Sequence, residues 1–372
     1  MSNPHLATPS GKPRARSFGI PFDGVPGPNN AITDVSGVTV GYTTLISGDG
    51  ASVSGEAAVR TGVTAILPRP GQKIAAPVFA GIFSGNGNGE LTGTHLIEEI
   101  GAFNLPITIT NTHSCGVARD GTLRWAHGLM PGVLDDSWAL PVAGETYDGF
   151  LNDINGHHLT FDHVAAALNG AAGGPIEEGS VGGGTGMITC GFKAGSGTAS
   201  RVVEWHGRRY TLGVFVQSNF GKRWNFTVRG VRAGLELAEP AIREGTPRAE
   251  KSSIIAIVAT DAPLMPHQLK RLAKRVPLGV AMTGGYGYHS SGDIFLAFST
   301  ANAEAAEGAS GRLAQAEYVP DVDIDIFFDA TVQATEEAIL NSLTANDDMT
   351  GRAGNFVPAL PKAWLKKRFS AG

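Results

Sequence analysis

The sharpest constraint on this chain lies between residues 239 and 260. Residues 239–252, EPAIREGTPRAEKS, hold two prolines, six charges and one glycine. That is the composition of an exposed linker. The chain then passes directly into IIAIVA, residues 254–259. A continuous apolar, β-rich run of this length reads as a strand buried on both faces. It needs sheet on both sides, or sheet on one and helix on the other. Two serines, Ser252 and Ser253, stand at the junction.

The surrounding pattern is mixed α/β. Strands are expected at 38–42, 63–67, 78–83, 107–110, 210–217, 224–228 and 294–298. Residues 94–100 suggest a short helix with Thr94 as cap, and residues 161–169 another, ended by Gly170. Leu269, Leu272, Ala273 and Val276 form a helical stripe, as do Phe328, Val332, Thr335, Ile339 and Leu343. Residues 1–16 are polar, with three prolines and three basic residues, and read as a loose arm. Gly supplies 51 of 372 residues, about twice the usual share. It punctuates the apolar runs, as tight turns and close backbone packing require.

Several classes are disfavoured. The net charge of −5, from 29 basic and 34 acidic residues, points to no nucleic-acid or anionic-membrane partner. Cys115 and Cys190 are too few for a disulfide framework and fit a reducing compartment. The first residues lack an apolar signal core, and no 18-residue apolar span exists. The expectation is a soluble, cytoplasmic protein.

The candidate chemistry starts with Ser253. A hydroxyl at the head of a strand, after a disposable linker, suits a self-cutting hydrolase. An N-to-O acyl shift followed by hydrolysis would free the α-amine of Ser253. Its ordinary pKa of about 7.7–8.0 lets it act as a general base. The alternative is a serine that only starts a strand. Ser291 and Asp293, at i and i+2, share a face if extended and would relay a proton or bind an ammonium. They also fit a plain turn. Asn219, at a strand end, is a candidate oxyanion donor or a turn residue. Tyr147, between Gly144 and Gly149, offers a phenol donor or simple packing. The cluster GSVGGGTG at 179–186 lacks the spacing and lysine of a phosphate loop. His113 and Cys115 would share a face on a strand, but a buried structural cysteine is the competing account. No H-E-x-x-H is present, and no metal or cofactor is implied.

These pieces join in one resemblance. The run from Ser253 to Leu264 resembles the nucleophile strand of the DmpA-type self-processing aminopeptidases, the L-aminopeptidase/D-esterases and their β-peptidyl aminopeptidase relatives. GIP at 19–21, NAITDVSGVTVG at 30–41, GNGNGE at 85–90, ETYDG at 145–149, GGGTGM at 182–187, VQSNFG at 216–221 and SGDIFLAF at 291–298 follow in the family's order. The resemblance implies one αββα sandwich over residues 1–372, like the N-terminal-nucleophile hydrolases but with different connectivity. It implies a cut between Ser252 and Ser253 into an α chain, 1–252, and a β chain, 253–372. Ser253 is then the nucleophile and Ser291 the second serine. Asp293 stands where β-peptide-cleaving members often carry Glu, and Ser252 where the family often carries Gly. Asn219 and Tyr147 match oxyanion or substrate-positioning residues, and Glu145 an acid near the substrate's free amine. The implied substrates are short peptides, amides or esters of L-, D-alanyl or β-amino residues. The implied assembly is a tetramer of αβ units. The alternatives are an acyltransferase of the ornithine acetyltransferase type, which uses Thr as nucleophile, and a non-catalytic small-molecule binding protein.

Overall fold

The strand after the junction runs Ser252–Thr260 and is covered differently on its two faces. Ile254, Ala256 and Val258 pack with Leu269, Leu272, Val276, Ala334 and Ala338 of outer helices. Ile255, Ile257 and Ala259 pack with Ile66, Ile107, Ile109 and Val142 of a second sheet. The alternation of side chains along an extended strand makes this division.

The computed structural model describes residues 3–48, 50, 55–135, 138–243, 252–308 and 310–370. In chain order the strands are β1 (Thr39–Ser47), β2 (Val59–Leu67), β3 (Val78–Gly87), β4 (Ala102–Phe103), β5 (Ile107–Asn111), β6 (Val142–Thr146), β7 (Ile188–Thr189), β8 (Phe192–Lys193), β9 (Ser196–Trp205), β10 (Arg208–Asn219), β11 (Ser252–Thr260), β12 (Ser291–Ser299), β13 (Met349–Thr350) and β14 (Phe356–Val357). One sheet has the order β1-β2-β5-β6 and the other β4-β3-β12-β11-β10-β9. Each contains a parallel pair, β5 with β6 and β11 with β12. Parallel neighbours need a crossover, and a helical crossover lies on a face of its sheet. Helix Cys115–Leu129 makes the first; helices Pro266–Ala273 and Val276–Met282 make the second. Cys115 and Ala118 pack with Val63, Ala65 and Ala143 on the outer face of the four-stranded sheet, beside helix Phe161–Asn169. Helix Asp325–Thr344 joins the layer outside the six-stranded sheet. The result is the expected αββα sandwich.

The glycine cluster is a packing device. Gly182, Gly183 and Gly184 form a buried turn between the sheets. A Cβ on Gly183 would lie 2.4 Å from the Ile109 carbonyl oxygen, and one on Gly184 2.2 Å from the Ser196 nitrogen. Backbone from both sides fills the space that a phosphate would need.

Some local expectations fail, each for a tertiary reason. The N-terminal arm is tied down from residue 3 onward. Arg14 is buried, pairs with Glu178 at 2.7 Å and donates to the carbonyls of Pro4, Asn29, Asn30 and Thr198. Residues 224–228 are not a strand. Arg223 donates to the carbonyls of Cys190, Gly191 and Leu237, which holds Arg223–Asn225 in a 3-10 turn. Thr94 is the first residue of its helix and Gly93, at φ +75°, is the cap. The 269–276 stripe is split between two helices, because Pro277 lacks the N–H a continuous helix would need. Of the linker, residues 244–251 lie outside the described residues.

Candidate active site

Strand register decides what surrounds Ser253. Asn219 of β10 lies opposite Ser253. On the other side β12 sets Gly292 opposite Ser253 and Ser291 opposite Ser252. Opposed residues share a face. Asn219 therefore stands with Ser253 on the inter-sheet face, where Ile255 also packs. Ser291 and Asp293 fall on the helix face, in step with Phe295. The strand end is flanked from both sides of the sheet.

The Ser253 hydroxyl donates to the Ser252 carbonyl oxygen at 2.6 Å and accepts from the Gly292 amide at 3.3 Å. That carbonyl belongs to the peptide joining Ser252 to Ser253. A Cβ on Gly292 would lie 2.5 Å from the Asn88 carbonyl oxygen, so only glycine permits this approach. Ser291 Oγ lies 2.6 Å from Asp293 Oδ1 and 3.1 Å from Ser252 Oγ. A hydroxyl has one proton. Ser291 therefore donates it to either the Asp293 carboxylate or Ser252 Oγ, and the shorter bond goes to the carboxylate. Burial raises the Asp293 pKa, and the bonds from Ser291 and the Ile254 amide pull it back.

Asn219 is held at both ends of its amide. Oδ1 accepts from the Ile188 N–H at 2.9 Å, and Nδ2 donates to the Tyr147 carbonyl at 2.9 Å. Its second Nδ2 hydrogen remains for another acceptor. Tyr147 thus meets Asn219 through its backbone. Its phenol lies over Gly149, where a Cβ would sit 2.5 Å from Oη. Burial and the neighbouring Asp148 raise the phenol pKa.

Glu145 sits near the end of β6. Its carboxylate accepts from the Thr112 hydroxyl and from the Glu90 amide, the latter at 2.9 Å. Burial raises its pKa against both bonds. A Cβ on Gly89 would lie 3.1 Å from Glu145 Oε1 and 3.3 Å from the Gly292 Cα. One glycine therefore separates this acid from the residue beside the nucleophile. The structure brings Ser252, Ser291, Asp293 and Asn219 up to Ser253, sets Glu145 one glycine away, and joins Tyr147 to the group through its backbone.

The His113–Cys115 pair does not form. Asn111–Ser114 is a turn and Cys115 opens a helix. The thiol points to the Ala143 carbonyl at 3.5 Å, and burial pushes its pKa up to about 12. It stays protonated and is no nucleophile.

The model of peptidase family S58 matches residues 30–357. The chain belongs to peptidase family S58. The β-peptidyl aminopeptidase BapA of Sphingosinicella microcystinivorans is 51% identical over 366 residues, covering 95% of this chain and 91% of that one. The L-aminopeptidase D-Ala-esterase/amidase of Ochrobactrum anthropi superposes with a TM-score of 0.89 at 46% identity, over 96% of this chain and 99% of that one. It is described as a prototype for the serine aminopeptidases and a new variant among the Ntn hydrolase fold. A β-aminopeptidase of a Burkholderia species gives 0.85 at 43% identity, over 95% and 97% of the two chains. This S58 chain is a serine aminopeptidase. Neither acyl transfer nor a non-catalytic role receives support.

Sequence reasoning missed three contributors to this S58 site. Gly292 stands in the SGDIFLAF stretch with no signal of its own, Thr112 carries none, and the Met187–Ile188 peptide lies just past the glycine cluster. All three act through backbone or through partners distant in sequence.

Proposed function

We propose that Ser253 is the nucleophile, first on its own chain and then on peptide substrates. The observation that carries this reading is the 2.6 Å bond from the Ser253 hydroxyl to the carbonyl of the preceding peptide. The oxygen attacks the Ser252 carbonyl carbon. The Ser252–Ser253 C–N bond breaks as the nitrogen takes the hydroxyl proton. Water then hydrolyses the ester, leaving a Ser252 carboxylate and the free amine of Ser253. In the uncut chain Ser253 is 4% exposed, which supports the cut as a prerequisite for substrate entry.

After the cut, the α-amine of Ser253 takes the hydroxyl proton during attack on substrate. Ser291, polarised by Asp293, orients that amine from the helix face. The second N–H of Asn219 receives the oxyanion, and Tyr147 borders the acyl group. Glu145 receives the substrate ammonium. The substrates are short peptides, amides or esters with a free N-terminal amine. The names of the relatives favour β-amino, L-amino and D-alanyl residues as the acyl part. The α and β chains remain together, and the αβ units assemble as a tetramer. The intact mass of wild type and Ser253→Ala under denaturing conditions tests the first step. Wild type is expected as chains 1–252 and 253–372, and the variant as one inactive chain. A fully active, cut variant would sink the assignment.

A further inference from the structure

One buried charge has no part in the chemistry above. Lys193 in β8 is wholly buried, and burial holds its pKa well below the ordinary lysine value. Among the described residues its Nζ hydrogen-bonds no carboxylate. It donates to the carbonyls of Met187 at 3.0 Å and Ala194 at 2.5 Å. Asp148 lies near enough to favour the charged form, but burying an ammonium whose direct partners are carbonyls is still unfavourable. Such groups concentrate where function compensates.

The Met187 carbonyl leads to the site. It accepts from Lys193 Nζ and also from the Ala194 amide at 3.1 Å. The same peptide unit, through the Ile188 N–H, donates to Asn219 Oδ1 at 2.9 Å. Asn219 lies opposite Ser253 in the ladder. Lys193, the Met187–Ile188 peptide and the Asn219 amide therefore form two amides in series. In each, the oxygen accepts and the nitrogen donates onward. Accepting at the oxygen polarises an amide and strengthens its N–H as a donor, so the effect accumulates along the chain.

We propose that Lys193 is a positioning residue for the oxyanion donor. It fixes the Met187–Ile188 peptide, sets the Asn219 amide flip, and passes positive polarisation to the Asn219 N–H that faces the substrate carbonyl. This rests on the oxyanion role proposed for Asn219.

A double-mutant cycle tests it, using the self-cut enzyme and an aminoacyl anilide. Lys193→Met fills the volume without a donor. It is expected to lower kcat roughly tenfold, mid-range for partners in one hydrogen-bond network, with KM unchanged. In the Asn219→Ala background the same change should have less than about a twofold effect, because the relay then ends nowhere. Equal losses in both backgrounds would make Lys193 merely structural and overturn the proposal, as would an unchanged kcat in the single variant. If Lys193→Met does not fold by thermal melt, Lys193→Leu, which also lacks a donor, enters the same cycle with the same criteria. Full kcat in Asn219→Ala alone would remove the oxyanion assignment itself, and this proposal with it. Additive losses would remove only Lys193.

Discussion

Two buried glutamates show how differently this fold treats charge. Glu337, in the outer helix, pairs with Arg16 at 2.6 Å and Arg201 at 2.8 Å, and accepts from Asn30. Those partners hold its carboxyl below the ordinary glutamate range, against the pull of burial. Glu145, beside the nucleophile, is equally buried but is held only by a hydroxyl and a backbone amide. Its carboxyl sits above the ordinary range. Asp293 follows the same pattern. Two arginines neutralise Glu337 and lock it in the scaffold. Glu145 and Asp293 have no Lys or Arg ion-pair partner among the described residues, which leaves them ready to receive an ammonium or to polarise a hydroxyl.

The contrast can be broken by exchanging roles. The largest effect is expected for Asp293→Asn. It should reduce kcat/KM by about 10²–10⁴, the usual worth of a placed acid–base group, while the melting temperature stays near wild type. A large loss of stability with activity intact per folded molecule would put Asp293 in the scaffold class. Glu337→Gln should do the reverse. It strands two arginines, one of them wholly buried, and is expected to destabilise the chain by about 3–5 kcal/mol in denaturant unfolding. The surviving folded fraction should keep its kcat.

Glu145→Gln should raise KM by roughly 10- to 100-fold, the worth of one hydrogen bond to a charged group, with a smaller change in kcat. A deaminated substrate should lose its discrimination between the two enzymes. Asp148 gives the most diagnostic effect. It is fully buried, its Oδ2 meets no hydrogen-bond donor, and burial pushes its pKa up to about 7. Unfolded, it would release its proton near pH 4. The folded chain thus binds the extra proton across that window, and its stability falls as pH rises from about 4 to 7. Asp148→Asn should remove this slope, so its melting temperature should gain on wild type at pH 8 relative to pH 4. An unchanged slope would place the proton elsewhere.

Continuous apolar runs located β11 and β12, and the helical repeat located the long C-terminal helix, because both are properties of the segment itself. Ser291 and Asp293 were legible as a pair for the same reason: two residues apart on a strand is a fixed distance. The order of the family motifs carried the sandwich and the candidate residues. Local pattern alone established neither.

The remainder is relational. Asn219 reaches Ser253 only because the β10–β11 register sets them opposite. The N-terminal arm is ordered by Glu178 and by carbonyls that its own composition does not reveal. The glycine cluster is meaningful only as filling between two sheets. Lys193 is the one charged residue between Glu178 and Arg201, so the sequence did mark it as out of place. By itself, then, the sequence determined the most apolar strands, the long C-terminal helix and which residues carry hydroxyls, acids and amides, but not helix Cys115–Leu129 or β9. Only the tertiary structure decided which of those groups are buried, paired and aimed at Ser253, because hydrogen bonds and desolvation depend on neighbours that chain order does not specify.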